Sequence, residues 1–477
     1  MKKRTAGWCT INHGWVIFRP VERFIFRDFL SHFDSQGHFA CPCGAAHTVS
    51  VRNVIVEEGA LEVGASLLAR ELGSNASVWV LSDENTERAA GSDWKAYLKA
   101  SVRNRILPGK PRPVPSAELV EELAAEVRTA SPDLLVSVGS GVISDVVKRI
   151  SWETGVANWC VATAASVDAF SSSTAAIHVG GFHNAVPAAV SQTIICDLAV
   201  IEKAPQVMIL AGLGDLLAKF FAYLDWNLSR IMTGEHYCQV ISSAALESAR
   251  LALSAARHLK DNPRQAARAM TDAVLTSGFA MQALGGSRPA ASAEHTVAHF
   301  WEIADAVPVE RFDLHGILVG VASRMILQGY RSFYRSIAES RPQTAGRLKS
   351  FDAEPPWETS LEPGLRPYAE KVRTEMGLRS FNRKILSERL SRFDASREAI
   401  LELAFPVLEE LGGAVQLLST LDYPFSPREL GISPELCLLP CRNARLLRSR
   451  YSTFDLAYEL GLERAIYGRI EREVRQG

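Results

Sequence analysis

Residues 134–150 read LLVSVGSGVISDVVKRI. An apolar run at 134–138 leads into Gly139, Ser140 and Gly141, and a helical pattern follows at once. A buried strand, a glycine turn and a helix in that order form half of a βαβ unit, which calls for a parallel sheet. The same turn suits an anion. Glycines let the backbone approach closely, and unpaired N–H groups at the helix start point outward. The full G-x-G-x-x-G pattern is absent, because Ser144 takes the last position. A plain tight turn is therefore the competing reading of these residues.

On either side the alternation continues. Residues 49–73, VSVRNVIVEEGALEVGASLLARELG, read as strand, turn and amphipathic helix. A buried strand is expected at 78–81, a polar turn at 83–85, a helix at 117–130, and further strands at 159–162 and 193–196. After about 205 the strand signals stop. The text from 208 to 334 is alanine-rich and helical, 341–362 reads as a polar connection with Pro355 and Pro356, and 368–475 returns to amphipathic helices. The expected plan is an irregular N-terminal extension at 1–50 ending in CPCGAAH, an α/β domain at 51–205, and an all-helical domain at 206–477.

The whole chain has 477 residues, 47% of them hydrophobic and 22% charged, which excludes a disordered chain, a collagen repeat or a coiled-coil rod. With 52 Lys+Arg against 53 Asp+Glu, the net charge of −1 offers no global attraction to nucleic acid or to an anionic membrane. The eight cysteines are too sparse for a disulfide framework. No secretory h-region and no run of about 18 apolar residues stands out, so a reducing cytoplasm is the expected location.

Two sets of residues carry chemistry. The first is polar: Thr163, Ser166 and Ser172 follow the strand expected at 159–162, where open α/β sheets hold ligands, and Asp168 sits among small residues near them. Loop hydroxyls and a turn or cap aspartate are the structural alternatives. The second set could bind a metal. His295 and His299, four apart on a helix, share a face; His315 opens a later helix; and Asp215 is expected in the first turn of another, just after Gly214. One carboxylate and two imidazoles suit a divalent ion with an open position for substrate. An isolated pair of this kind is also commonly a core or solvated pair. Cys41, Cys43 and His47, with Cys9 and His13 nearby, are a further possible metal cluster, although CxC is less diagnostic than CxxC. An exposed loop of reduced thiols is the competing reading there.

VGSGVISDVVK, TAASVDAFSSSTAAI, AGLGDLLAKFFAYLDW, GSRPAASAEHTVAHFWE, LHGILVGVAS and, near the end, YSTFDLAYELGL occur in that order. Together they resemble the motifs of the sn-glycerol-1-phosphate dehydrogenases, within the wider iron-containing alcohol dehydrogenase and dehydroquinate synthase-like group. The resemblance implies a Rossmann-like parallel-sheet N-terminal domain, an all-helical C-terminal domain and an active site between them. It implies NAD or NADP held by Asp83, Gly139, Ser140, Gly141, Ile143, Asp145, Thr163, Ser166 and Ser172. It implies one divalent ion (Zn, Ni or Fe) on Asp215, His295 and His315, and substrate contacts from Asp168, Asp215 and His299. His299 and Asp168 would be the catalytic pair. The expected reaction interconverts dihydroxyacetone phosphate and sn-glycerol 1-phosphate, a step toward ether-lipid phospholipids. The expected partner is a small-molecule substrate, and the expected assembly is a homo-oligomer.

The chain departs from that pattern in places. His183 and Asn184 stand where the family carries a basic residue suited to phosphate, and His315, Gly316 and Ile317 replace an HGE-like start. The first change keeps other readings open, since His and Asn are poorer phosphate partners than Lys or Arg. These readings are a related metal- and NAD-dependent dehydrogenase acting on another polyol or ketone, a dehydroquinate synthase-like lyase, or a catalytically silent binding protein.

Overall fold

A computed structural model of the chain describes residues 9–11, 14–16, 24–179, 182–307, 313–354, 357–379, 381–424 and 426–476. It divides into two compact units. Unit 1 comprises Met1–Leu216 and Ser243–Ser287; unit 2 comprises Leu217–Ser242 and Arg288–Gly477.

Unit 1 carries the strands. β1 (Cys9–Ile11) and β2 (Gly14–Val16) pair antiparallel, as do β3 (His38–Ala40) and β4 (Ala46–Thr48). β5 (Asn53–Glu57), β6 (Ser77–Asp83), β7 (Ser101–Leu107), β8 (Leu134–Gly139) and β9 (Asn158–Ala162) follow. β10 (Thr174–Val179) and β11 (Phe182–Pro187) form a hairpin, and β12 (Thr193–Asp197) comes last. The six strands β5-β12-β9-β8-β6-β7 form one sheet in that order, and every pairing in it is parallel.

Side chains alternate across the sheet, and each face has its own core. Val78, Val80, Val136, Val138 and Ile195 pack with the helix Ala60–Leu72 on one side. Trp79, Leu81 and Leu135 pack with the helices Ala117–Ala130 and Gly141–Thr154 on the other. Burial on both faces explains why these strands read as continuous apolar runs. The strand order carries the functional consequence. From β6 the chain winds to β7 at one edge; from β8 it winds through β9 and β12 the other way. Winding therefore reverses between β6 and β8, and such a switch point opens a crevice at the carboxyl ends of the two strands.

Unit 2 is helical. It includes Ala293–Ile303, His315–Glu339, Arg383–Leu418, Pro434–Arg442, Thr453–Leu460 and Glu463–Gln476. The helix Gln206–Thr233 begins in unit 1 and ends in unit 2. It is long and apolar enough to cross a membrane, but 83% of its most apolar window is buried within the protein, as for a core helix.

Four local expectations need correction. Residues 341–362 hold two short helices, Thr344–Phe351 and Trp357–Ser360. The described part of segment 1–50 is regular, with two hairpins and the helix Ile25–Leu30. β7 was not foreseen, because SVRNRIL is an edge strand with mostly exposed side chains and has no apolar run to find. Asp215 is not in a first turn: its helix starts at Gln206. Gly212 and Gly214 look like a helix boundary in the text. A Cβ on Gly212 would lie 2.1 Å from the Ala165 carbonyl oxygen, so that glycine serves a close approach inside a continuing helix.

Candidate active site

The first cluster lies in unit 1, along the carboxyl edge of the sheet. β6 ends at Asp83, β8 at Gly139 and β9 at Ala162, so the reversal of winding brings the turns after β6 and β8 side by side. Gly139 and Gly141 are required by packing. A Cβ on Gly139 would sit 2.7 Å from Ile143 Cβ, and one on Gly141 would sit 2.9 Å from Val167 Cγ2. Ser140 precedes the helix Gly141–Thr154 without capping it through its side chain, which pairs instead with the Ser166 hydroxyl. Thr163 N–H donates to the Gly139 carbonyl at 3.1 Å and ties the two strand ends together. The arrangement presents helix N–H groups beside small polar side chains, which suits a pyrophosphate.

The other residues expected at the dinucleotide are engaged within the protein. Asp83 caps the turn that follows it, accepting from Asn85 N–H at 2.7 Å and Thr86 N–H at 3.0 Å. Ile143 is buried beneath Gly139. Asp145 accepts from Ala176 N–H at 2.9 Å and pairs with Lys148 at 3.1 Å. Ser172 accepts from Lys148 Nζ at 3.1 Å. Lys148 is the hub that sequence reasoning missed. It is fully buried and also donates to the Ala169 and Thr174 carbonyls, both at 2.6 Å. A lysine on a helix face gives no sequence signal that it will point inward at four acceptors.

Asp168 closes this edge. Its carboxylate accepts from Ser277 Oγ at 2.6 Å, and its N–H lies 3.4 Å from Asp215 Oδ2. Both aspartates are buried. The helix Pro263–Leu284 holds the Asp168 loop tightly: a Cβ on Gly278 would fall 2.5 Å from the Asp168 carbonyl oxygen.

The second cluster lies in unit 2. His295 and His299 project from Ala293–Ile303, and His315 opens the next long helix. The three rings gather, with centroids 5.8 Å (295–299), 5.2 Å (295–315) and 5.0 Å (299–315) apart. Each ring meets a carboxylate through Nδ1. His295 faces Glu294 at 2.9 Å; His299 and His315 face the two oxygens of Glu302 at 2.9 and 2.8 Å. An imidazole facing a carboxylate presents its N–H there, which assigns the proton to Nδ1. Glu294 and Glu302 were not singled out from the sequence. The retrievable signal was Glu302 three residues after His299, one turn along the same face. One donor atom each of His299, Glu302 and His315 lies within 4.8 Å of the others, so unit 2 holds a possible metal site. Imidazole nitrogens beside carboxylates suit Zn, Ni or Fe(II).

A third cluster of buried polar groups supports the histidine helix. Asp225 accepts from Ser292 Oγ (2.5 Å), Tyr330 OH (2.8 Å), Thr453 N–H (2.9 Å) and Thr453 Oγ1 (2.7 Å). Burial pushes its carboxyl up to about 6 despite these donors. The late YSTFDLAY motif thus has a structural role, since Thr453 anchors Asp225, and Ser292 on the same carboxylate precedes Ala293–Ile303. The side chains of His183 and Asn184 lie outside the described residues, as do the Cys9 side chain and His13.

Solved glycerol dehydrogenases share this fold. Residues 55–205 match the family described as iron-containing alcohol dehydrogenase. Among proteins of assigned name, it is 28% identical over 330 residues to the glycerol-1-phosphate dehydrogenase (NAD(P)+) of Hyperthermus butylicus, covering 69% of this chain and 93% of that one. It is 27% identical over 416 residues to the enzyme of the same name from Geobacillus thermodenitrificans, covering 86% and 93%. Among solved structures, a probable glycerol dehydrogenase from Sinorhizobium meliloti shares the fold with a TM-score of 0.57 at 16% identity, covering 89% of this chain and 97% of that one.

Proposed function

We propose that this chain is a metal-dependent NAD(P)H oxidoreductase that interconverts dihydroxyacetone phosphate and sn-glycerol 1-phosphate. The observation that carries the reading is the imidazole cluster, in which three gathered rings each meet a glutamate carboxylate through Nδ1. The names of the similar enzymes favour this substrate pair over other alcohols.

Residues 51–205 are assigned the dinucleotide, and 206–477 the metal and substrate. Asp215, His295 and His315 are the proposed ligands of one divalent ion, an oxygen and two nitrogens that match the needs of Zn, Ni or Fe. When bound, the cation supplies positive charge where a ketone oxygen becomes an alkoxide. The remaining chemistry belongs to side chains. The N–H groups after Gly139 hold pyrophosphate, and Ser140, Thr163 and Ser166 line the same edge. Asp83, Ile143, Asp145 and Ser172 shape that edge through their bonds and packing. Asp168, held by Ser277, orients a substrate hydroxyl. His299 is partly exposed, with 32% of its side-chain surface open, and exchanges the proton of the alcohol with water. The proposal includes a homo-oligomer in the cytoplasm.

A second reading, a related dehydrogenase of an unphosphorylated polyol or ketone, stays attached to His183 and Asn184. The deciding assay follows oxidation of NADH and NADPH by metal-reconstituted protein, with dihydroxyacetone phosphate and dihydroxyacetone side by side. Preference for the phosphorylated ketone supports the first reading, and preference for the other supports the second. Neither ketone consuming NAD(P)H would refute both.

A further inference from the structure

We propose that Cys41, Cys43 and His47 form a second, structural metal site that takes zinc, separate from the imidazole cluster and independent of the functional reading above. The three residues flank the β3–β4 turn, where CPCGAAH folds back on itself. Cys41 N–H donates to the Ala45 carbonyl, and Gly44 N–H donates to the Cys41 carbonyl. Gly44 has φ 87°, so the tight reversal needs a residue without Cβ. The turn brings both sulfurs and a ring nitrogen within 4.8 Å of one another.

Three observations favour a cation over reduced thiols in a loop. The donors are inside: Cys41 and His47 are buried and Cys43 is half-buried. The imidazole is oriented, because His47 Nδ1 lies 3.2 Å from the Ala283 carbonyl, which takes its N–H and turns Nε2 toward Cys43 Sγ at 3.3 Å. That spacing is close to the roughly 3.6 Å between sulfur and nitrogen ligands on one tetrahedral zinc, given bonds of about 2.3 and 2.1 Å. A thiol–imidazole hydrogen bond also permits it, so the experiment must separate the two. Two soft sulfurs and an imidazole select zinc over the hard cations. Structural zinc takes four donors, and this hairpin supplies three of them from one short stretch of chain.

The site has a structural purpose visible in unit 1. The hairpin is tied to the C-terminal end of the helix Pro263–Leu284 through His47 to Ala283, and through Ser50 N–H to Gln282 Oε1 at 2.5 Å. Gln282 Nε2 donates in turn to the Ser171 carbonyl at 2.7 Å, and Ser277 on the same helix holds Asp168. A zinc-locked hairpin therefore buttresses the helix on which the Asp168 loop rests.

The test uses full-length protein with cobalt replacing zinc. Thiolate ligands give an intense thiolate-to-cobalt charge-transfer band, which the oxygen and nitrogen donors of the imidazole cluster cannot give. The wild type should show that band. H295A should keep it, while C41S, C43S and H47A should weaken or abolish it. In zinc-loaded protein each of these three variants should lose about one equivalent of tightly held zinc, and H295A should lose the other. Circular dichroism checks that each variant is folded, and the wild-type spectrum stands even where a variant is not. A cobalt-loaded wild type without the thiolate band overturns the proposal. So does a folded C43S variant that retains the band and both zinc equivalents.

Discussion

The glycine turn of unit 1 and the imidazole cluster of unit 2 are built on opposite principles. The turn is made of backbone. Its residues are consecutive, Gly139 to Gly141, and the two glycines matter for having no side chain. The cluster is made of side chains. His295, His299 and His315 come from two helices, and their orientation depends on Glu294 and Glu302. A backbone site can be read from a short string, whereas a side-chain site is only as good as the carboxylates that aim it.

Mutations put this contrast to the test. The largest effect is expected from His295→Ala, which should lose the bound metal and about 10³-fold or more of turnover, a loss comparable to removing a principal charge-stabilising group. Full activity of that variant after chelation would sink the metal assignment. Glu302→Ala should weaken metal affinity about 10–100-fold, the usual cost of removing a carboxylate behind ligand imidazoles, while Glu302→Gln should recover part of it. Calorimetric titration with zinc reads both variants without relying on catalysis. Equal affinities for wild type and Glu302→Ala would mean the glutamate orients nothing that matters.

Gly139→Ala probes the backbone side. The new Cβ collides with Ile143, and overpacking of this kind costs about 1–3 kcal/mol. NADH affinity and melting temperature should both fall, and adding Ile143→Ala should not restore the melting temperature, because the closest clash is with the Ile143 Cβ that alanine keeps and the truncation leaves a cavity. An unperturbed Gly139→Ala would show that the turn has room to spare.

The smallest effect concerns pH. The Asp225 carboxyl sits at about 6 in the folded protein, above its usual 3.8, because it is buried. Its folded-state advantage is fully present below about 4 and is lost as pH rises through about 6. The melting temperature of wild type minus that of Asp225→Asn should therefore increase by a few degrees as pH falls from 7 to 5. A difference independent of pH would place the carboxyl elsewhere on the scale.

Much of the sheet was legible because strands buried on both faces must be apolar along their length. The run at 134–138 became Leu134–Gly139, 193–196 became Thr193–Asp197, and the helix expected at 117–130 is Ala117–Ala130. β7 and the short helices at 344–360 escaped because exposed, polar residues leave no periodic trace. The histidine residues were legible as a spacing, and Asp168 as a polar residue in a small-residue loop. Lys148, Glu294, Glu302 and Asp225 were not singled out, since a charged residue in a helix is normally solvated and only its partners show otherwise.

The amino-acid string is enough for the alternation of strand and helix, the glycines of the turn after β8 and the one-turn spacing of His295 and His299, because each depends on neighbours close in the chain. It took the folded molecule to show that winding reverses between β6 and β8, that Gln282 and Ser277 brace the Asp168 loop, and that one glutamate faces two imidazoles. Those are contacts between residues as many as 111 positions apart, and local propensity carries no information about which distant groups will meet.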